Sequence, residues 1–581
     1  MGTYIRLVDI NDAKGKESAF LSAVQDKNSS IRFETSAENF SKIPGSPVAY
    51  WVTENYIKAF IVGDPINSMS QTRQGLIPGN TDIFLRFWYE VSVSKIGYNH
   101  TKSDEIRKFK KKWFPYNKGG SFRKWSGNVE HLINMENDGY DIKYSGKNNN
   151  YRLREPNLYF QEAITWSKIS SGNFSARYMK PGCLFDIAGC CIFFLAENLK
   201  FILGFCNSIV ALELLNFISP TLNYEVDHIK KLPIVDNKQK ISEINELVRL
   251  NINISQTDWD SFETSWDFTT HPLITHKSNG QIETSFKNWE EFAKKQFYQL
   301  KANEEELNRI FIDIYGLPDE LKPEVEEKDV TVRKADLGRD VRSFIAYAVG
   351  CMFGRYSLDT DGLAYAGGDW DQSRYKTYVP DADNCIPIID EEYFDDDIVS
   401  RFVDFVKAIY GKDTLEKNLE FIAEALGNRG DTPLKTIRNY FINDFSKDHV
   451  KIYQKRPIYW LFESGKENGF KALIYMHRYN ADTIGNMRIE YIHKLQAKYE
   501  SQLSFEQHLI DTSQNQREKS AAMKQKEKLI RQIKELRDYD VKIAHLANCR
   551  IEIDLDDGVK VNYEKVQTGK DSKMLEVLWK I

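Results

Sequence analysis

The sequence predicts an α+β protein: a β-rich module over residues 46–240, helical regions after it, a long coiled-coil-like helical spacer and a C-terminal β-hairpin. Three observations carry this reading. Runs such as "AYWV", "IFLRFWYEVSV" and "EAITWSKI" are rich in aromatic and β-branched residues and are bounded by Gly, Pro, Asn and Ser. Residues 486–545 contain no Pro or Gly, and Leu529, Ile533, Leu536 and Ile543 recur at near-heptad spacing among Lys and Glu. Near the end, Ile551, Ile553 and Leu555 alternate, an Asp-Gly pair follows, and Val559 and Val561 alternate again, which is a hairpin pattern.

In chain order, residues 1–45 open on a strand-like YIRLVDI and turn polar, so they read as a remnant or linker from a preceding domain. Within 46–240 one helix is expected. Leu199, Ile202, Leu203, Cys206, Ile209, Val210, Leu214 and Phe217 follow an i, i+3, i+4, i+7 spacing, and Pro220 ends it. Residues 241–335 are charged and helical, with Trp259, Trp266 and Trp289, and read as a helical spacer. Residues 336–485 form a mixed helical domain: the helix "DVRSFIAYAVGCMFGRY", a loop rich in Gly and Asp, and helix again from 411. Residues 486–545 read as a long helical hairpin and 546–581 as the C-terminal β-hairpin and tail.

The chain has 581 residues, 41% hydrophobic and 28% charged, with a net charge of −5. Polyanion binding must therefore be local. Positive charge does concentrate in one place: Arg107–Lys124 carries eight Lys or Arg residues, and no acid occurs between Glu105 and Glu130. The seven cysteines include no C-x-x-C and read as small buried hydrophobes in a reducing compartment. MGTYIRLVDI lacks a signal-peptide pattern and has Arg6 where myristoylation wants Ser or Thr. The longest uncharged apolar run, Phe201–Leu212, is far short of the ~20 residues of a membrane span. A cytoplasmic protein without membrane contact is expected.

Several catalytic classes lack their residues. No two glycines are separated by one residue, which excludes G-x-G dinucleotide and S-adenosylmethionine loops. There is no G-K-[ST], H-E-x-x-H or G-x-S-x-G. No two prolines are adjacent, so the P-P motif that holds a flipped base's amine is absent. His271 and His276 are poorly spaced for one metal, and Asp359, Asp361, Asp369 and Asp371 read as turn acids. No catalytic, cofactor or metal residue is assigned.

Three polar loops offer binding chemistry. In the first, Arg73, Gln74 and Asn80 have side chains suited to base edges. The second supplies Lys110, Lys111, Lys112, Lys118, Arg123 and Lys124 for phosphates, with Tyr116 and Trp125 as stacking faces and Gly119–Gly120 for a close backbone approach. The third adds Lys168, Ser170, Ser171 and Arg177. Phosphate contacts from 107–124 would position the duplex, and Arg73, Gln74, Asn80 and Arg177 would read bases.

The blocks "RQGLIPGNTDIFLRFWYEV", "KWFPYNKGGSFRKWSGN" and "EAITWSKISSGNFSARY" resemble the target-recognition region of the PglX family, the adenine-specific DNA methyltransferases of BREX phage-defence systems. "AYAVGCMFGRYSLDTDGLAYAGG", "KRPIYWLFESGKENGFKALIYMHRY" and "HLANCRIEIDLDDGVKVNYEKV" resemble later blocks of that family. The segment "KFILGFCNSIVALELLNFISPTLNYEVDHIKKLPI" is similar to the end of recognition domains in type IIG and type I restriction–modification proteins. The resemblance implies the C-terminal, target-recognition and spacer half of such an enzyme, with 46–240 as the recognition domain. It implies that S-adenosylmethionine binds only in an N-terminal methyltransferase domain, and that this chain alone is inactive. The implied partners are double-stranded DNA, that N-terminal half or a separate methyltransferase subunit, and other BREX proteins. A type I specificity-like subunit docking on separate methyltransferases is the alternative. It would normally carry two recognition modules, whereas one such ending occurs here, at 206–233.

Overall fold

The computed structural model describes residues 1–108, 110–147, 150–170, 172–194, 198–219, 221–570 and 572–581. The fold is α+β and divides into two compact units. The first comprises Met1–Phe84, Gly97–Trp259 and Lys295–Arg333, and the second Leu85–Ile96, Asp260–Lys294 and Lys334–Ile581. These units cut across the expected boundaries, because Leu85–Ile96 leaves the β-rich module for the second unit.

In the first unit, residues 1–45 are folded rather than a linker. The strand Gly2–Ile5 pairs antiparallel with Arg32–Thr35 around the helix Ala13–Gln25. Tyr4 stacks on Tyr50 at 4.8 Å between ring centroids and meets Phe40 edge-on, which anchors the segment. Beyond it, Trp113–Asn117 lies antiparallel to His131–Asn134 and parallel to Leu184–Phe185. A separate sheet runs in the order Gln71–Arg73, Gly189–Phe193, Ala163–Ser167, Ala176–Met179.

The single helix expected over 199–217 is two helices, Leu199–Cys206 and Ile209–Ile218, bent by 70°. The cause lies at the junction. Asn207 turns its side chain to the backbone of Ala176, accepting from its N–H and donating to its C=O, both at 2.9 Å. Ser208 then caps the second helix by accepting from the N–H of Ala211. Pro220, the expected terminator, lies outside the described residues. No single helix among the described residues is long and apolar enough to cross a membrane. This bent pair passes that test only jointly, and its Ile202, Leu203, Val210, Leu214 and Leu215 are fully buried in the unit's core.

The second unit packs the helices Leu337–Met352, Ile398–Tyr410, Leu415–Ala425, Pro433–Asn443 and Phe445–Ile452 with a three-stranded sheet ordered Ile386–Pro387, Lys471–Tyr475, Tyr459–Glu463. The last two strands form an antiparallel hairpin inside a region expected to be helical. "YWLFE" and "KALIY" flank a Gly-bearing turn, a strand signature that the surrounding helical periodicity obscures.

The long helical hairpin is present as His493–Thr512 and Gln516–Cys549. Leu529, Ile533, Leu536 and Ile543 form its buried seam, as the heptad spacing predicts. It is also docked: the Glu535 carboxylate accepts from Ser464 Oγ and from the N–H groups of Glu467 and Gly469 in the β-hairpin turn.

The expected C-terminal β-hairpin does not form. Residues 551–554 form no strand, and the Asp-Gly pair starts the helix Gly558–Lys565 instead. Buried Glu90 decides this. Its carboxylate accepts from the N–H of Val559 at 2.9 Å, so it occupies the donor end of the new helix. A Cβ on Gly558 would sit 2.6 Å from Arg86 Nε, at a φ of +75° that already favours glycine.

His271 caps the short helix Pro272–Thr275: its Nδ1 accepts from the N–H of Leu273 at 3.2 Å, which places the ring proton on Nε2. Burial lowers its pKa from 6.5 to about 3. The unfolded chain therefore takes up a proton that the folded chain refuses. The contribution to stability is complete above pH 6.5 and falls below it by about 1.4 kcal/mol per pH unit. Between pH 6.5 and 5 the native protein should lose roughly 2 kcal/mol more than His271→Asn, which keeps a capping side chain but does not titrate. Urea titrations of both proteins at the two pH values measure that difference, and parallel losses would refute it.

Candidate nucleic-acid interface

The three polar loops all belong to the first unit, and backbone pairing draws them together. Asn117 Nδ2 donates to Thr165 Oγ1 at 2.6 Å and to the Gly189 carbonyl at 3.3 Å. Leu76 bridges to Asp186, and Trp125 to Arg177. These contacts bring together loops that leave strands of two separate sheets.

Part of the predicted set faces solvent. Lys110 is exposed, and Lys111, Lys112 and Lys118 are partly exposed. Arg73 lies 3.4 Å from Glu155 with both side chains more than a third exposed. Gln74 Nε2 donates to Glu225 Oε2 at 3.4 Å, while Lys168 Nζ and Asn223 Nδ2 each reach Glu225 Oε1 at 3.0 Å. Glu225 thus joins the first and third loops through one carboxylate. Local sequence carries no sign of this role, since "NYEVDHIKK" reads only as the end of the module. Asn80 is partly exposed, and its backbone carbonyl accepts from the N–H groups of Ile83 and Phe84. Ser170 is buried in its turn, accepting from the N–H of Gly172. Ser171 lies outside the described residues.

Besides buried Ser170, five predicted contacts turn inward, and the surface role expected of all six is corrected. Tyr116 is fully buried and donates to Asp186. Burial and that carboxylate push the phenol far above its ordinary pKa. Arg123 Nη2 donates to the Ser255 carbonyl at 2.7 Å and to Asp258 Oδ2 at 3.0 Å. Its Nε donates to the Ser126 carbonyl, its Nη1 to that of Thr331, and its guanidinium stacks 5.0 Å from the Trp259 ring. Burial raises the Asp258 pKa, but Arg333 and Arg123 outweigh it and hold the carboxyl below the usual range. Lys124 Nζ donates to Glu304 Oε2, and Trp125 Nε1 to Glu304 Oε1. Trp125 keeps a φ of +72°, a conformation costing a non-glycine residue of order 1–3 kcal/mol, held by this bond and by backbone bonds to Ala176 and Tyr178.

Arg177 is wholly buried, donating to the Arg123 carbonyl and to Ser167 Oγ at 3.3 Å each. Burial and Arg123 lower its pKa to about 10. The reason is common to all five: acceptors from other parts of the fold meet these side chains in the interior. The glycine pair also serves packing. A Cβ on Gly119 would meet the Ala188 carbonyl at 3.0 Å, and one on Gly120 the Asn128 side chain at 2.8 Å.

The remaining reactive groups are subdued. Burial lowers His131 to about 3, helped by Lys118, and raises the Cys190 thiol to about 12. Among the described residues, one trio of carboxylates, Asp381, Asp383 and Asp396, has oxygens within 4.8 Å of one another. The Tyr491 hydroxyl lies within hydrogen-bonding distance of two of them, Asp383 and Asp396. Asp359, from the acidic loop, accepts from the Lys376 and Thr377 N–H groups, as a turn acid does.

No family model matches the chain. Two curated relatives do. The adenine-specific methyltransferase PglX of Lacticaseibacillus casei (strain Zhang) is 46% identical over 591 residues, covering all of this chain and 49% of the relative. Along its whole length the chain is PglX-like. The adenine-specific methyltransferase BrxX of Escherichia coli O9:H4 (strain HS) is 38% identical over 97% of the chain and 47% of the relative. The chain spans about half the length of the curated relatives it matches. Lys118 follows the strand Trp113–Asn117 at the Asn117 end, where the loop contacts lie, whereas Lys110, Lys111 and Lys112 precede the strand at its other end.

Proposed function

We propose that this chain is the C-terminal, DNA-recognition and spacer portion of a PglX-type adenine-N6 DNA methyltransferase acting in BREX phage defence in the cytoplasm. The observation that carries this is the 46% identity spread over the entire chain to about half of a named adenine-specific methyltransferase. Methyl transfer and S-adenosylmethionine binding would reside in the other half of such a protein, since the G-x-G and P-P patterns are absent from this sequence. Here Lys110, Lys111, Lys112 and Lys118 would hold the phosphate backbone. Arg73, Gln74 and Asn80 would face base edges, with Glu225 orienting Gln74 and Lys168.

Filter binding of the purified chain to duplex DNA at rising salt tests this. Four lysines on phosphates predict that log K falls with log salt at a slope of roughly −3 to −4. A slope near zero removes the DNA reading. Heat released on titrating S-adenosylmethionine into the chain would overturn the assignment of the cofactor to the other half.

A further inference from the structure

Residues 1–45 fold, yet they are thinly covered. Asp12 caps the helix Ala13–Gln25 by accepting from the N–H of Gly15 at 2.7 Å. At the other end Arg32 Nη1 donates to the carbonyls of Ala23 and Val24 at 3.3 Å each, tying the helix to the strand Arg32–Thr35. Between these ties the covered side carries small residues: Ala23 is buried, and Gly15 and Ala19 are half-buried. The large apolar residues lie on another side. Phe20, Leu21 and Val24 are 45%, 55% and 51% exposed. At about 3.6 residues per turn they share an arc of about 100°, the width of a stripe that normally faces a core. A helix this short draws most of its stability from such packing.

The sheet beside the helix is incomplete in the same way. Gly2–Ile5 and Arg32–Thr35 pair with each other, and among the described residues no third strand joins either edge. A two-stranded sheet is marginal by itself, and an open edge is a template for another strand. Ring contacts of Tyr4 with Phe40 and Tyr50, and of Phe33 with Tyr50, fix the pair to the chain that follows, but they supply no strand.

We infer that this strand–helix–strand segment is the docking surface for the methyltransferase half, which covers Phe20, Leu21 and Val24 with apolar side chains and adds a strand to the open sheet edge. The inference rests on the reading above, under which methyl transfer resides in that other half. It assigns residues 1–45 a task that is separate from DNA contact: they join the part that binds DNA to the part that does the chemistry.

Three points favour this occupant. The chain matches 49% and 47% of the two curated relatives, so each has a further half with no counterpart here. An open edge is completed by a polypeptide that offers a strand, and a cofactor-binding half with a glycine loop is built of strands and helices. The stripe is also wrong for nucleic acid. Glu17, one turn before Phe20 and Leu21, is the charge that falls within it, and it repels phosphate. Contiguous exposed apolar groups of this size mark a surface that another protein surface covers.

Co-expression tests this, because it lets two halves fold on one another. The full chain, affinity-tagged, is produced with the half of the Lacticaseibacillus casei PglX that it does not match. The two should co-purify. Phe20→Ser, Leu21→Ser and Val24→Ser combined should lower recovery of the partner at least about tenfold, while the chain's own unfolding midpoint stays near native, since all three side chains are exposed. In the complex, hydrogen exchange should slow across 13–25 and along 2–5 or 32–35. Failure of the native chain to co-purify would overturn the inference, as would equal recovery with the triple variant or protection confined to other segments. A dimer of the chain alone that the triple variant abolishes would give the face to a second copy, with the same consequence. Should the triple variant fail to fold, the exchange pattern of the native complex decides. The salt slope of the chain alone keeps the two readings apart. Docking absent with the slope intact sinks the interface only, and a flat slope with docking retained sinks the DNA assignment only.

Discussion

Arg123→Ala should cost about 3–5 kcal/mol of stability, the range for breaking a buried charge pair from one side. The guanidinium holds Asp258 and three backbone carbonyls, those of Ser126, Ser255 and Thr331. Truncation strips all of them at once and removes the stacking partner of Trp259. Arg333 still faces Asp258, with Nε 3.1 Å from its carboxylate, which places the cost toward the lower end of the range. Arg123→Lys retains the charge but cannot span the same acceptors, so it should recover only part of the loss. Urea unfolding of the three proteins gives the numbers. A change below about 1 kcal/mol accompanied by weaker DNA binding would restore Arg123 to the role of phosphate contact and refute the structural one.

The converse is expected of Lys110, Lys111 and Lys112. Replacing all three by alanine should leave the unfolding midpoint close to native, since none is buried and surface changes of this kind are usually within about 0.5 kcal/mol per site. DNA affinity should drop roughly 100-fold near 0.15 M salt, because each lost phosphate contact removes about 0.9 counterions' worth of release entropy. The salt slope should become shallower by nearly 3 for the same reason. Equal binding by the triple variant and the native chain would move the interface elsewhere. A uniform drop across DNA sequences, without a change in preference, would mark these lysines as positioning contacts rather than readers of bases.

Much of the architecture is legible in the residues themselves. The heptad positions Leu529, Ile533, Leu536 and Ile543 are buried as their spacing predicts, because a helix face repeats with the chain's own geometry. The β-hairpin expected near the C-terminus is absent and another forms at 459–475 where helix is expected, and both outcomes depend on neighbours. Alternating Ile551, Ile553 and Leu555 before Asp-Gly carry a strand signal, yet Glu90, over 450 residues earlier, takes the N–H of Val559 and starts a helix. "YWLFE" and "KALIY" become strands inside a helical region because each finds the other across a Gly turn. Asn207 bends the 199–218 helix by reaching a strand 31 residues away.

The candidate interface divides in the same way. Lys112 and Lys124 are the same residue type in the same basic stretch, and composition cannot separate them. Lys124 is buried because Glu304, 180 residues later in the chain, meets it. Arg123 is buried because Asp258 arrives from 135 residues away. Local sequence alone determined the α+β class, the helical arm, the concentration of positive charge at 107–124 and the absence of the glycine and proline patterns of methyl transfer. Tertiary structure alone decided which of those cations meet solvent. The free energy of a charged side chain depends on whether an acceptor reaches it through space, and the order of residues along the chain does not record that distance.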